Sequence, residues 1–197
     1  MPGMFIAPGY PPLNMLAYND FIDRCEKSID EIAEMHSKIP EELEIEAFVH
    51  GAMCVSFSGN CYLSSIEKNA SGNEGKCLQL CRLPYQNNLN NKTAYNLSTR
   101  DLSLLENIET LINAGVTSFK IEGRMRHAGY TATATKIYRN AIDLLKTNSL
   151  SREFFKQSEE ELKISYSRGD YNKQAYLQKS KDEKIMFPDY QNHIGIK

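Results

Sequence analysis

The chain has 197 residues, of which 41% are hydrophobic and 24% charged, and its formal net charge is −2. That length and balance suit an ordinary globular domain with a real core. They exclude a protein drawn to nucleic acid or an anionic membrane by its overall field, and no apolar run approaches the ~18 residues of a membrane-crossing helix.

Residues 1–19 form a leader in which Pro2, Pro8, Pro11 and Pro12, with Gly3 and Gly9, argue for irregular backbone. The leader has no basic start and no long apolar stretch, so it does not read as a signal peptide, and the expected location is cytoplasmic. Ser28 and Glu31 make a capping-box pattern ahead of Ile29, Ile32, Ala33 and His36, which fall on one helical face that Pro40 closes. Residues 43–49 alternate apolar and acidic side chains and predict a strand. Residues 50–90 are rich in Gly, Ser and Asn and read as a long loop, which in a compact domain is functional or held by something.

Regular patterning then returns. A short strand is expected at 94–97 and a helix at 102–114, with Leu104, Leu105, Ile108, Leu111 and Ile112 at helical spacing and Gly115 where a glycine would stop it. A strand is expected at 116–121 and a helix at 130–146 that turns Ala132, Ile137, Ala141, Ile142 and Leu145 toward a core. This order implies an α/β fold with parallel strands and right-handed crossovers. Beyond about residue 150 the chain is polar and heavily charged, which predicts a short helix and then a loosely packed tail. Two or three β/α units close no barrel, so the expectation is an incomplete copy of a larger fold with an edge strand that wants a neighbour. The organisation read this way is a leader at 1–19, a partial β/α domain at 20–150 with its cysteine loop at 50–90, and a charged helix and tail at 151–197.

Cys54, Cys61, Cys77 and Cys81 follow the spacing C-x6-C-x15-C-x3-C. Clustered cysteines in a chain without secretion signals read as metal or cluster ligands rather than disulfides. Thiolates suit zinc and iron–sulfur clusters alike. Structural zinc sites favour two C-x2-4-C knuckles, and only Cys77 and Cys81 are so spaced, which favours an iron–sulfur site, with zinc or unligated thiols as alternatives. Cys25 stands apart and reads as a small core residue.

Around the first pair, Glu46-Ala47-Phe48 precedes Gly51-Ala52-Met53-Cys54, and Gly59-Asn60-Cys61-Tyr62-Leu63-Ser64 follows. This resembles the signature of the U32 peptidases, also called collagenase-like peptidases. The segment from Ser71-Gly72-Asn73-Glu74-Gly75-Lys76-Cys77 to Cys81-Arg82-Leu83-Pro84-Tyr85 is similar to the family's second cysteine pair. Phe119 to Met125 and Tyr138 to Asp143 resemble a late barrel strand and helix, and the likeness runs from about residue 24 to the C-terminus. The resemblance implies a partial TIM-like (β/α) barrel whose early strands are missing and replaced by the leader. It also implies a C-terminal accessory domain cut short over 186–197.

The family's better-understood branches resemble oxygen-independent hydroxylases of tRNA uridine or rRNA cytidine. By that similarity the four cysteines hold a 4Fe-4S cluster, prephenate is the oxygen donor and RNA the partner. The compact loop ending in Cys81-Arg82-Leu83-Pro84-Tyr85 looks closer to the rRNA type. Two other readings stand beside this one. One is a peptidase acting on peptides, with Cys54 or Cys61 as nucleophile and His50 as base, since H-E-x-x-H and G-x-S-x-G are both absent. The other is an inactive fragment, or half of a split protein whose partner chain supplies the missing strands.

Functional residues of parallel β/α folds collect at the C-terminal ends of strands. That places His50, Lys120, Glu122 and Arg124 as catalytic candidates and Arg82, Arg100 and Asp101, beside Ser98, as substrate-binding candidates. Arg and Lys would hold carboxylates or phosphates, and Glu122 would act as acid or base or orient Arg124. The structural alternatives are a core histidine at 50, an ion-pair network of Lys120, Glu122 and Arg124, and a helix cap at Asp101.

Overall fold

The computed structural model describes residues 28–56, 60–87, 91–123, 126–173 and 194–195. The leader, Cys25, Arg124 and most of the expected tail lie outside the described residues. The chain divides into a sheet unit, whose described parts are 28–53, 100–173 and 194–195, and a cysteine unit within 54–99. In chain order the elements are α1 (Ile29–His36), β1 (Ile45–Ala52), α2 (Leu63–Lys68), β2 (Tyr85–Gln86), β3 (Thr93–Ala94) and β4 (Asp101–Ser103). Then come α3 (Ile108–Asn113), β5 (Val116–Ile121), α4 (Ala128–Lys146), α5 (Arg152–Ser165), β6 (Tyr166–Ser167) and β7 (Ile194–Gly195).

The sheet unit is α/β, built on three strands in the order β4-β1-β5. β1 runs parallel to β5, as the strand–helix order predicts, and antiparallel to β4. The capping box forms as read: the Ser28 hydroxyl accepts from the Glu31 N–H, and the Glu31 carboxylate accepts from the Ser28 N–H. That satisfies two of the N–H groups that a helix start leaves open. Gly115 ends α3 with φ of 98°, donating its N–H to the Ile112 carbonyl. A Cβ there would lie 2.3 Å from the His36 ring, so close packing on α1 adds a second demand for glycine. Ile45, Val49, Leu102, Ile108, Ile137 and Leu162 are among the buried side chains that bind sheet and helices together.

Four expectations are corrected. The strand expected at 94–97 is not in the main sheet; Thr93–Ala94 instead pairs with Tyr85–Gln86 within the cysteine unit. The sheet takes Asp101–Ser103, where a helix was expected. Leu102 and Leu104 suit either period, and backbone bonding decides: the Ser103 N–H donates to Asn172 and the Leu104 N–H to Val49. The helix therefore starts only at Ile108, after a 3-10 turn.

In α4 the core faces are Tyr130, Ala134, Ile137, Tyr138 and Ala141, while Ala132 is exposed. The register is set by His127, whose ring nitrogen accepts from the Tyr130 N–H at 3.2 Å and caps the helix. Finally, the segment after α5 is not loosely packed at its start. Ser167, Arg168 and Tyr171 are buried, and Asn172 bridges to Leu102 beside β4.

Candidate functional site

The described part of the cysteine unit has little regular structure and no buried hydrophobic side chain; only Ser64, Ser98 and Thr99 are buried there. Tyr62, Ile66, Leu78 and Leu83 are instead exposed. Polar contacts shape its turns. The Ser64 hydroxyl accepts from the Leu78 N–H at 3.1 Å, tying α2 to the second cysteine pair. Gln79 adopts a left-handed conformation, φ 53° and ψ 35°, and opens the 3-10 turn Leu80–Arg82. The Tyr85 hydroxyl donates to the Leu80 carbonyl at 3.0 Å. Arg82 reaches across to donate to the Ser98 hydroxyl at 3.1 Å and to the Thr99 carbonyl.

The four cysteines of this unit are free thiols, with Cys54 and Cys77 exposed and Cys61 and Cys81 half-buried. Two sulfurs accept backbone N–H groups, Cys54 from Ser56 at 3.4 Å and Cys77 from Gln79 at 3.3 Å. Burial pushes the Cys81 thiol above its ordinary pKa. The Arg82 charge opposes that shift, and the charges of Cys54, Cys77 and Cys61 add to it. All three other thiols thus lie within electrostatic reach of Cys81, and the fold gathers the set that the spacing singles out. Among the described residues no three ligand-type side chains stand close enough to share a single metal ion.

The other candidates belong to the sheet unit. His50 is 1% exposed, and neither ring nitrogen has a hydrogen-bond partner. Its ring packs among Tyr130, Tyr138 and Tyr171 at centroid distances of 5.9, 5.5 and 5.3 Å. Burial lowers its pKa from 6.5 to about 3, so the imidazole is neutral at ordinary pH. The same burial raises the pKa of those three phenols, and Tyr138 donates to the Val49 carbonyl at 2.7 Å.

Lys120 is paired at 2.6 Å with Glu46 on the neighbouring strand and lies over the Phe48 ring. Its partner is therefore not the Glu122 and Arg124 of the expected network. Glu122 donates its N–H to the His50 carbonyl, and Arg124 lies outside the described residues. Asp101 does not cap a helix; it sits in β4, 4% exposed, and pairs with buried Arg168. Arg100 is half-buried, and its charge helps hold the Asp170 carboxyl below its usual range, after the larger effect of Lys163.

Sequence reasoning missed the cluster that Asp101 joins. Arg168 and Arg126 both lie over the Tyr166 ring, at 5.5 and 3.9 Å from its centroid. The signal was the run Tyr166-Ser167-Arg168-Gly169-Asp170-Tyr171, where a glycine that takes φ of 100° marks a turn between two aromatics.

A family model described as Peptidase family U32 matches residues 23–186, and the chain belongs to that family. A tRNA hydroxylation protein of Bacillus subtilis is 41% identical over 129 residues, 60% of this chain and 30% of the relative. A 23S rRNA 5-hydroxycytidine synthase of Escherichia coli is 36% identical over 138 residues, 68% of this chain and 21% of the relative. A collagenase of Porphyromonas gingivalis is 33% identical over 160 residues, 73% of this chain and 39% of the relative. The chain thus spans well under half the length of these curated relatives. No solved structure matches it.

Proposed function

We propose that this member of peptidase family U32 carries the iron–sulfur-binding part of an oxygen-independent RNA base hydroxylase. Cys54, Cys61, Cys77 and Cys81 would hold a 4Fe-4S cluster. The observation that carries the reading is a segment without an apolar core of its own in which four free thiols are gathered around Cys81. Such a segment needs a staple, and soft anionic ligands supply one by binding metal. A cluster spreads its ligands over several iron corners and tolerates wider sulfur spacing than one tetrahedral ion does. The N–H groups of Ser56 and Gln79 meet sulfur as they would meet a cluster-bound thiolate. The cluster, when bound, supplies one-electron chemistry and a Lewis-acidic iron.

Two relatives named for RNA hydroxylation support the substrate class, tRNA or rRNA, with prephenate as the expected oxygen donor. The parallel β1–β5 pair with a helix packed against it is the piece of a TIM-like barrel that this reading assigns. The remaining strands would come from further polypeptide or a partner chain. A cytoplasmic location, where thiols stay reduced, belongs to the same proposal. Proteolysis gains less from the geometry. Its base would be His50, whose ring is sealed among three tyrosines and held neutral by burial. A peptide substrate would have to reach it.

The test is anaerobic purification with iron and sulfide quantitation and a visible spectrum, beside a Cys77→Ala/Cys81→Ala double variant. Near-stoichiometric iron and sulfide, lost in the variant, is the expected result, and hydroxylation of RNA with prephenate is the assay that follows. Zinc alone, or four titratable thiols without metal, overturns the reading.

A further inference from the structure

We infer that Arg82 is a positioning residue for the cysteine site. Planted in the Ser98–Thr99 turn, its guanidinium fixes the Cys77–Cys81 loop and sets a permanent positive charge beside the Cys81 sulfur, which eases reduction of a cluster bound there. The inference rests on the cluster reading above and deepens it.

Three observations carry it. Arg82 follows Cys81 directly in a 3-10 turn, so the two side chains leave one short rigid element. The guanidinium is anchored twice, by the Ser98 hydroxyl at 3.1 Å and by the Thr99 carbonyl, and both residues are buried within the same unit. Arg82 is also the one group whose charge counters the upward push on the Cys81 thiol from burial and from the three other cysteines. A guanidinium stays charged at every working pH and presents a planar fork, so two acceptors on one turn hold it in a single orientation. Among the described residues the unit has no apolar core to hold that loop by packing. The fork therefore does what packing does elsewhere.

The electrostatic consequence has a definite sign. One-electron reduction adds a negative charge to a cluster, and a fixed cation at its ligand stabilises the reduced form. In the sequence analysis Arg82 is a candidate for holding substrate. With its guanidinium anchored to Ser98 and Thr99, its role is instead to orient the ligand loop.

The experiment uses the full chain, purified anaerobically and titrated with dithionite while the spectrum and the electron paramagnetic resonance of the reduced state are followed. Wild type is compared with Arg82→Gln and Arg82→Lys. Arg82→Gln should keep iron and sulfide but shift the oxidised-to-reduced ratio at a fixed potential about tenfold toward oxidised, about 59 mV for a one-electron couple. Arg82→Lys, which keeps the charge, should recover most of that shift. An unmoved potential in Arg82→Gln with the cluster in place overturns the role of Arg82 and leaves the cluster reading standing. If Arg82→Gln cannot hold the cluster, Arg82→Lys decides. Retention near the wild-type potential supports the inference, and loss there too, with the fold intact by circular dichroism, overturns it. Absence of iron and sulfide from wild type overturns the cluster reading and this inference together.

Discussion

The Asp101 carboxylate and the Arg168 guanidinium meet inside the sheet unit, one from β4 and the other from the turn after β6, with both side chains nearly sealed from water. Removing one partner leaves the other charge buried and uncompensated. Arg168→Ala should therefore cost about 3–5 kcal/mol of unfolding free energy, read from urea denaturation. Replacing both together, as Asp101→Leu with Arg168→Met, should cost much less than the sum of the single changes. A loss below about 1 kcal/mol for Arg168→Ala would mean that water still reaches the pair.

His50 should make the fold acid-sensitive. In the unfolded chain its imidazole takes a proton below about pH 6.5, whereas in the fold it does so only near pH 3. Between those values the unfolded state binds more protons, so stability falls as pH drops through the window, by about 1.4 kcal/mol per unit. Above pH 6.5 this contribution is flat. His50→Phe should flatten the difference between neutral and acid stability while leaving stability at pH 7 the same or higher, since no buried ring nitrogen then lacks a partner. An identical pH slope in the two proteins counts against the buried neutral imidazole.

Gly51→Ala should be severe for its size. Gly51 has φ of 117°, and a Cβ there would lie 2.5 Å from the Glu122 carbonyl oxygen, which is backbone and moves only with β5. Strain and overpacking together are expected to cost about 2–4 kcal/mol. Thermal melts of wild type and variant measure it, and a change in midpoint of only a degree or so would show that β5 yields.

Removing metal should act locally. With the cluster held, amide exchange across 60–87 is expected to be slow. After chelation under reducing conditions it should become fast, while β1, β5 and α4 keep their protection. Uniform protection in both states contradicts a stapled segment.

These expectations divide along the line between what sequence pattern reveals and what it hides. The Ser28 capping box and the Gly115 stop are local events, settled within a few residues, and both were legible. The four cysteines were legible because their chemistry is rare and their spacing is specific. Leu102 and Leu104 were not, because two adjacent turns of apolar residues fit either period until Val49 and Asn172 supply the hydrogen-bond partners. Arg168 was hidden for a related reason. A charged residue in a polar run reads as solvated until β4 brings Asp101 to it from far along the chain. The sealing of His50 likewise depends on tyrosines from α4 and from beyond α5, which no local window contains.

Ala52 and Asp101 are paired neighbours in the β1–β4 ladder, so the chain leaves the sheet at one point and returns to it at the adjacent one. The cysteine segment is thus a hairpin loop grown to the size of a module. Closing such a loop becomes dearer by only about 0.6 kcal/mol for each doubling of its length, so its length and content can change while the strands at its base remain paired. The sheet acts as a socket, and the ligand-bearing segment as an exchangeable cartridge. One scaffold of this kind can accept segments of different length without being redesigned, and the segment can be excised or exchanged for another between residues 53 and 100.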